Sequence, residues 1–101
     1  MEIIGIKKVD DFRRNQSGLR NVVDGWRVTT EGALWKNYEE MKQTFPSADY
    51  NSLHGAYIFD LGKKYRLLVN VQFVAETVPL GRVSILDIMH HDDYDKWSHT
   101  K

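Results

Sequence analysis

The stretch KYRLLVNVQFV, residues 64–74, has the clearest strand pattern in the sequence and decides the fold class. Apolar and polar side chains alternate along it with a period of two, as in a strand with one face on a core. One predicted face carries Tyr65, Leu67, Val69, Val71 and Phe73. The other predicted face carries Lys64, Arg66, Leu68, Asn70 and Gln72. A polar, basic sheet face of this kind is suited to phosphate chemistry.

Three other strands are predicted around this stretch. Residues 56–61 form an apolar run, and the pair Gly62-Lys63 that follows predicts a turn into residues 64–74. A last strand is predicted over residues 82–90, and a short one, rich in isoleucine, over residues 2–6.

Three helices are predicted between the first strand and residue 56. Asp10 is a plausible N-cap for the first helix. The second is expected to follow Ser17, and it has one apolar face at helical spacing, formed by Leu19, Val22, Val23 and Trp26. Asn37 and Glu40 resemble a capping box for the third helix, which Pro46 would end. Its apolar side would comprise Trp35, Tyr38, Met41 and Phe45.

A short acidic helix over residues 91–97 is predicted to close the chain. Strand, helices and then three consecutive strands form an α+β pattern, in which an N-terminal strand and helices pack on an antiparallel sheet. The length of 101 residues predicts a single domain over 1–101.

Composition limits the possible partners and location. Lys and Arg number 14, as do Asp and Glu, so the chain has no overall field that attracts a polyanion. Basic residues nevertheless dominate between Leu61 and Arg82, and acidic residues dominate between Asp87 and Asp95. The chain has no cysteine, no apolar stretch long enough for a membrane helix and no signal-peptide pattern. We therefore expect a cytoplasmic protein without membrane contact, and we find no cofactor signature.

Two groups of residues are candidates for chemistry. Lys64 and Arg66 lie two apart on a predicted strand, so their side chains share a face and can bind one phosphate. A solvated sheet face also explains this spacing, and it is favoured when the pair is taken alone because such alternation is common. His91 and Tyr94 lie three apart and would share one side of a helix, where either can move a proton. A helix cap followed by an acidic first turn explains that segment as well.

Other interpretations carry less weight. The segment from His90 to Asp95 contains several possible metal ligands, but adjacent ligands rarely converge on one ion, and the sequence has no standard zinc spacing. The aromatic side chains of Trp26, Trp35 and Phe45 are predicted to pack in the core rather than to stack on bases. His54 and His99 fall in a predicted loop and a tail, and no role is assigned to them.

Three motifs resemble HigB-type toxins of type II toxin–antitoxin systems, which belong to the RelE-like superfamily. They are WK at 35–36 with FPSADY at 45–50, IFDLGKKYRL at 58–67, and HDDYDK at 91–96, which is similar to the family ending T-H-x-E-Y-D-K. The three occur in the family's order, and together they span most of the chain.

The resemblance implies a RelE-like fold and ribosome-dependent, metal-independent cleavage of mRNA through attack by the ribose 2′-hydroxyl, with no cofactor. It also implies a cognate HigA-like helix-turn-helix antitoxin as a partner, besides ribosome and mRNA. The positions that match the family site, with the neighbouring His90, form a candidate catalytic set of Arg66, His91, Tyr94, Lys64 and His90. The candidate RNA-binding set is Lys63, Asn70, Gln72, Arg82 and Lys96.

The sequence departs from the family at three places. His90 stands where the family has threonine, Leu86 stands where a basic residue is common, and the hairpin between Phe73 and Arg82 is longer. These departures support an alternative hypothesis, in which the chain is a catalytically weak or inactive toxin relic that binds the antitoxin.

Overall fold

The computed structural model describes residues 1–16 and 18–100, and all structural statements below refer to these residues. The elements follow in the order β1 (Glu2–Ile4), α1 (Ile6–Arg13), α2 (Leu19–Glu31), α3 (Tyr38–Thr44), β2 (Asp49–Asn51), β3 (Ala56–Leu61), β4 (Tyr65–Gln72), β5 (Arg82–His90) and α4 (His91–His99). The α+β class and the short C-terminal helix are confirmed. No helix within the described residues has the length and apolar character needed to cross a membrane.

The five strands form one sheet in the order β1-β5-β4-β3-β2. The pairs β3–β4 and β4–β5 are antiparallel, as predicted, and the pair β2–β3 is antiparallel as well. Strand β1, whose direction was not predicted, lies parallel to β5 with Ile3 opposite Val83, so the sheet as a whole is mixed. Strand β2 was not predicted, because three edge residues are too few to show a period of two.

The predicted bounds of β3 and β5 are confirmed, and β4 is shorter than the predicted 64–74. The β4–β5 pairing contains an irregularity, because Leu68 lies opposite Asp87 whereas Val69 lies opposite Ile85. Leu86 is thus the extra residue of a β-bulge in β5, and it is exposed.

The main core lies between one face of the sheet and helices α1–α3. The ring of Phe59 lies at its centre, 5.5 Å from the ring of Trp26, 6.1 Å from that of Trp35 and 5.2 Å from that of Phe45. The prediction that these aromatic residues pack in the core is confirmed. On α2, Leu19, Val23 and Trp26 are buried, as the helical spacing predicted.

The first helix begins earlier than predicted. Gly5 is its N-cap, with a φ of 85°, so β1 ends at Ile4 and α1 begins at Ile6. The prediction of Asp10 as the N-cap was wrong, since Asp10 lies inside the helix and its carboxylate is 3.3 Å from the Arg13 guanidinium. The predicted start of the second helix at Ser17 lies outside the described residues; the helix itself begins at Leu19.

The cap of α3 is close to the prediction. The Asn37 side-chain oxygen accepts a hydrogen bond from the Glu40 amide at 2.9 Å. The Glu40 carboxylate accepts from the amide of Lys36, at 2.9 Å, rather than from that of Asn37. Two amide groups at the start of the helix are thereby satisfied, as in a capping box.

The second face of the sheet is partly covered by α4. Ile58 and Leu68 lie opposite each other on β3 and β4, and both are buried although neither belongs to the main core. Helix α4 packs against β4 and β5. This face also carries Arg66, since residues two apart on a strand point the same way.

The cap of α3 gives a test of the fold. Asn37→Ala removes the acceptor for the Glu40 amide, and we expect it to lower the free energy of unfolding by about 1 kcal/mol. For a domain of this size such a loss lowers the Tm by about 4–8 °C. Thermal unfolding followed by circular dichroism measures the effect. Asn37→Asp keeps an acceptor and should stay close to the wild type, and equal Tm values for Asn37→Ala and the wild type would contradict the cap.

Candidate functional site

The turn between β3 and β4 places two lysines at one end of the sheet. Leu61 lies opposite Tyr65, so Gly62, Lys63 and Lys64 form the turn, and Gly62 has a φ of 65° that favours glycine. Lys63 and Lys64 are exposed, and neither ammonium group has a hydrogen bond or ion pair within the described residues. Both charges are therefore available for an anion. Lys64 precedes β4 rather than beginning it.

Arg66 is held by a partner that the sequence analysis missed. Its Nε lies 3.1 Å from the Asp60 carboxylate on β3, directly opposite in the register. Its Nη1 donates to the carbonyl oxygen of Tyr65 at 3.0 Å and, more weakly, to that of Lys63 at 3.4 Å. These bonds orient the guanidinium and leave Nη2 for a phosphate. A predicted three-residue turn would have placed residue 60 opposite residue 66, so Asp60 could have been identified from the sequence as the partner of Arg66.

The end of β5 brings the two adjacent histidines to the same turn. Tyr65 lies opposite His90, and the His91 amide donates to the Lys64 carbonyl at 2.7 Å. The rings of His90 and His91 are 4.4 Å apart, and the His90 ring contacts Tyr65 edge-on at 5.8 Å. The β4–β5 register thus places the imidazoles beside the lysine-bearing turn.

His90 is the N-cap of α4. Its Nδ1 accepts a hydrogen bond from the Asp92 amide at 3.2 Å, so in the neutral ring the proton lies on Nε2. Threonine, which the resembled family has at this position, is also a favoured N-cap residue. His90 therefore takes over a structural role.

The same segment has a possible metal-ligand group. One ligand atom each of His90, His91 and Asp92 lie within 4.8 Å of one another. These ligand atoms lie close together although the residues are adjacent, because the chain passes from a strand into a helix here, and the prediction that no metal binds stays a prediction. The group offers three ligands on an accessible surface, as an open zinc site needs. The Asp92 carboxylate contacts His91 Nδ1 at 3.1 Å.

Tyr94 lies one turn after His91 on α4 and is half-buried. Its ring centroid is 5.8 Å from that of Trp97. The Trp97 ring in turn stacks on His54, at 3.7 Å and an interplanar angle of 16°. Lys96 is exposed on the same helix. No spacing pattern could have indicated His54, because its ring contacts Trp97, which is distant in the chain.

The remaining candidates lie elsewhere. Gln72 lies opposite Arg82 at the far end of the β4–β5 hairpin. Seven residue steps separate Tyr65 from Gln72, which corresponds to about 23 Å along a strand. Arg82 is paired with Glu2 at 3.2 Å, and Asn70 is exposed between the two ends. Of the candidate RNA-binding residues, Gln72 and Arg82 therefore do not form one site with His91, whereas Lys63 lies in the turn beside it.

An open groove, which was not predicted from the sequence, adjoins the lysine turn. It has a volume of about 270 Å³ and lies between the start of α2 and the β3–β4 turn. It is lined by Gly18, Leu19, Val22, Leu61, Gly62, Lys63, Lys64 and Tyr65. An apolar floor with two cations at the rim suits a ligand with a flat ring and a phosphate.

This arrangement has the elements of phosphodiester chemistry at one end of the sheet. Two lysines and an oriented guanidinium can bind and stabilise a phosphate. Two imidazoles and a phenol lie on the adjoining strand end and helix, and either type of group can transfer a proton.

A family model described as HigB_toxin, RelE-like toxic component of a toxin-antitoxin system, matches residues 19–97. The match includes the lysine turn, Arg66 and the whole segment from His90 to Trp97, and it leaves out β1 and α1. A search of curated proteins found no match. Because the family model covers most of the chain, including every candidate catalytic residue, the chain belongs to the HigB family of RelE-like toxins of toxin–antitoxin systems.

Proposed function

We propose that this toxin is a ribosome-dependent mRNA endonuclease that inhibits translation. One observation carries the proposal: the hydrogen bond from the His91 amide to the Lys64 carbonyl joins the helix of the proton-transfer groups to the turn of the phosphate-binding groups. Membership of a RelE-like toxin family supports it. The proposed place of action is the cytoplasm, and the proposed partner is a HigA-like helix-turn-helix antitoxin.

The proposed reaction needs no metal. The ribose 2′-oxygen attacks the adjacent phosphorus, the bond from phosphorus to the 5′-oxygen breaks, and a cyclic phosphate and a 5′-hydroxyl result. His91 or Tyr94 takes the 2′-hydroxyl proton or returns one to the leaving oxygen. Arg66, through Nη2, and Lys64 stabilise the charge that grows on the phosphate oxygens.

The lysine turn and its groove give a plausible position for one nucleotide. Lys63 and Lys64 would bind its phosphate, and the apolar floor of the groove would contact a base. Lys96 lies on the same helix as His91 and would contact the neighbouring phosphate. Asn70, Gln72 and Arg82 would contact RNA only farther along the sheet.

The proposal assigns substrate affinity to the ribosome. The net charge of the chain is zero, and the guanidinium groups of Arg66 and Arg82 are partly neutralised by Asp60 and Glu2. Few phosphate contacts mean weak binding of free RNA, because each contact contributes through counterion release.

A second candidate function is non-enzymatic binding of the antitoxin by an inactive toxin relic. Two observations favour it. His90 is engaged as a helix cap, and Leu86, an exposed bulge residue, stands where the resembled family often has a basic residue. Expression without the antitoxin separates the two functions, since an active toxin arrests growth and a relic does not.

The catalytic assignment is tested by Arg66→Ala and His91→Ala. Loss of a positioned acid or base is expected to slow cleavage about 10²–10⁴-fold, and loss of a charge-stabilising donor about 10²–10³-fold. Both variants should therefore relieve growth arrest. The measurements are growth after induction and single-turnover cleavage of mRNA on purified ribosomes.

Matched controls use the same residue types elsewhere in the chain. Arg27→Ala removes a surface arginine paired with Glu31 on α2, and His99→Ala removes an exposed histidine at the end of α4. Both should keep wild-type toxicity. The assignment is wrong if the Arg66 and His91 variants stay as toxic as these controls.

Dependence on the ribosome and on metal is tested with purified protein. We expect efficient cleavage of mRNA bound to ribosomes and poor cleavage of the same RNA alone, because free binding is weak. Cleavage should survive pre-treatment of the toxin with excess EDTA followed by return to ribosome buffer. Efficient cutting of naked RNA would contradict the first expectation. Loss of activity that Zn²⁺ restores would instead favour a metal-dependent hydrolase with ligands His90, His91 and Asp92.

A further inference from the structure

We infer that His54 is a positioning residue, which clamps the C-terminal end of α4 and thereby fixes Tyr94. The inference rests on the proposed nuclease function for its effect on cleavage. The clamp is defined here as His54 and Asn51 on one side and Trp97 and Ser98 on the other.

Helix α4 packs against β4 and β5, but this contact buries none of its residues fully, so attachments at its two ends add to its stability. It has nine residues and none of them is buried. Helices this short are marginal in water without tertiary contacts. The His91 amide bonds to the Lys64 carbonyl and fixes the first turn. The last turn, which follows Tyr94, requires its own attachment.

The clamp contacts that last turn with hydrogen bonds and a ring. His54 Nε2 lies 2.6 Å from the Trp97 carbonyl, so it carries the proton and donates. The Asn51 side-chain amide donates to the Ser98 carbonyl at 3.3 Å. Carbonyls of a last turn have few donors within the helix. The Trp97 carbonyl accepts from the Thr100 amide at 3.2 Å, so the bond from His54 is its second, and Asn51 gives the Ser98 carbonyl a donor from outside the helix.

The turn that carries His54 is itself fixed. The Asn51 side-chain oxygen accepts from the His54 amide at 3.0 Å, and the Asn51 carbonyl accepts from the Gly55 amide at 2.8 Å. Gly55 has a φ of 66°, which favours glycine. Asn51 thus bonds to both sides of the clamp, and His54 is presented to α4 by the loop between β2 and β3 without being part of the main core.

The aromatic contacts extend from the clamp to the proposed proton-transfer group. His54 stacks on Trp97 at 3.7 Å, and Trp97 lies 5.8 Å from Tyr94, ring centroid to centroid. Loss of the clamp would make the Trp97 ring, which Tyr94 contacts, more mobile. Tyr94 would then sample more positions relative to the phosphate held by the lysine turn, and its proton transfer would slow.

The test uses three substitutions in the full chain. His54→Ala removes the donor and the ring, His54→Gln keeps a side-chain N–H donor without the ring, and His54→Phe keeps a ring without the donor. His99→Ala is the matched control, because His99 is an exposed histidine beside the clamp. Amide hydrogen exchange measures order in α4 against α2, and ribosome-bound cleavage gives kcat and KM.

For His54→Ala we expect amides of α4 to exchange about tenfold faster while those of α2 are unchanged, as for the loss of a hydrogen bond at one end of a helix. We expect kcat to fall by up to about 10²-fold at unchanged KM, because a small misplacement of a reacting group has effects of this size. His54→Gln and His54→Phe should fall between His54→Ala and the wild type.

The outcomes separate the clamp from the nuclease. Unchanged exchange in α4 overturns the clamp, whether or not the protein cleaves RNA. Faster exchange with wild-type kcat overturns the positioning of Tyr94. If the wild type cleaves nothing, the nuclease proposal fails, and the exchange measurement alone still decides whether His54 holds α4.

Discussion

The register of the β4–β5 hairpin is the constraint on which the site depends. It places Tyr65 opposite His90. His91, the residue after β5, therefore lies beside Lys64, the residue before β4, and the His91 amide donates a hydrogen bond to the Lys64 carbonyl. A slip of one residue would turn every side chain of the strand to the other face. The bulge at Leu86 belongs to this constraint, because the extra residue sets the pairing between the bulge and the helix. Leu86, where the family often has a basic residue, thus has a role in geometry that does not require charge.

The sequence predicted those features that depend on local patterns. The period of two identified β4, and the bounds of β3 and β5 were predicted from the sequence as well. The spacing on α2 predicted its buried face, and Asn37 with Glu40 predicted the cap of α3. The direction of β1 was not predictable, because a three-residue strand beside β5 leaves no local mark of its partner. The N-cap at Gly5 was missed because a residue with a side-chain acceptor, Asp10, was preferred. In the structure, the helix instead begins after a glycine whose positive φ other residues rarely adopt. Asp60 pairs with Arg66 on the next strand, and His54 bonds to Trp97 on α4. The spacing of residues along a single strand or helix does not predict such contacts.

Charge pairing makes the basic face smaller than the sequence indicated. Arg66 and Arg82, two of the predicted cations, each face a carboxylate, and about 23 Å of strand separates their ends of the hairpin. The two turn lysines supply the cations without such a partner at the site. An arginine already oriented by a carboxylate and two carbonyls loses little side-chain entropy when it binds a phosphate. In the proposed mechanism, the arrangement therefore favours precise contact with one phosphate over strong attraction of RNA, which agrees with the neutral charge of the chain.

In the proposed mechanism, the stability of α4 sets the fraction of molecules in which the candidate catalytic residues lie together. Each hydrogen bond at its ends contributes only about 0.5–1.5 kcal/mol net, and no residue of the helix is buried. Segments held in this way open more readily than the core of the same protein. In the proposed mechanism, Tyr94 and His91 meet the phosphate only while α4 is folded and packed against the sheet. The rate of cleavage therefore scales with the population of molecules in which α4 is folded. A ligand that contacts Lys63 or Lys64 together with α4 would therefore raise the population in which α4 is folded.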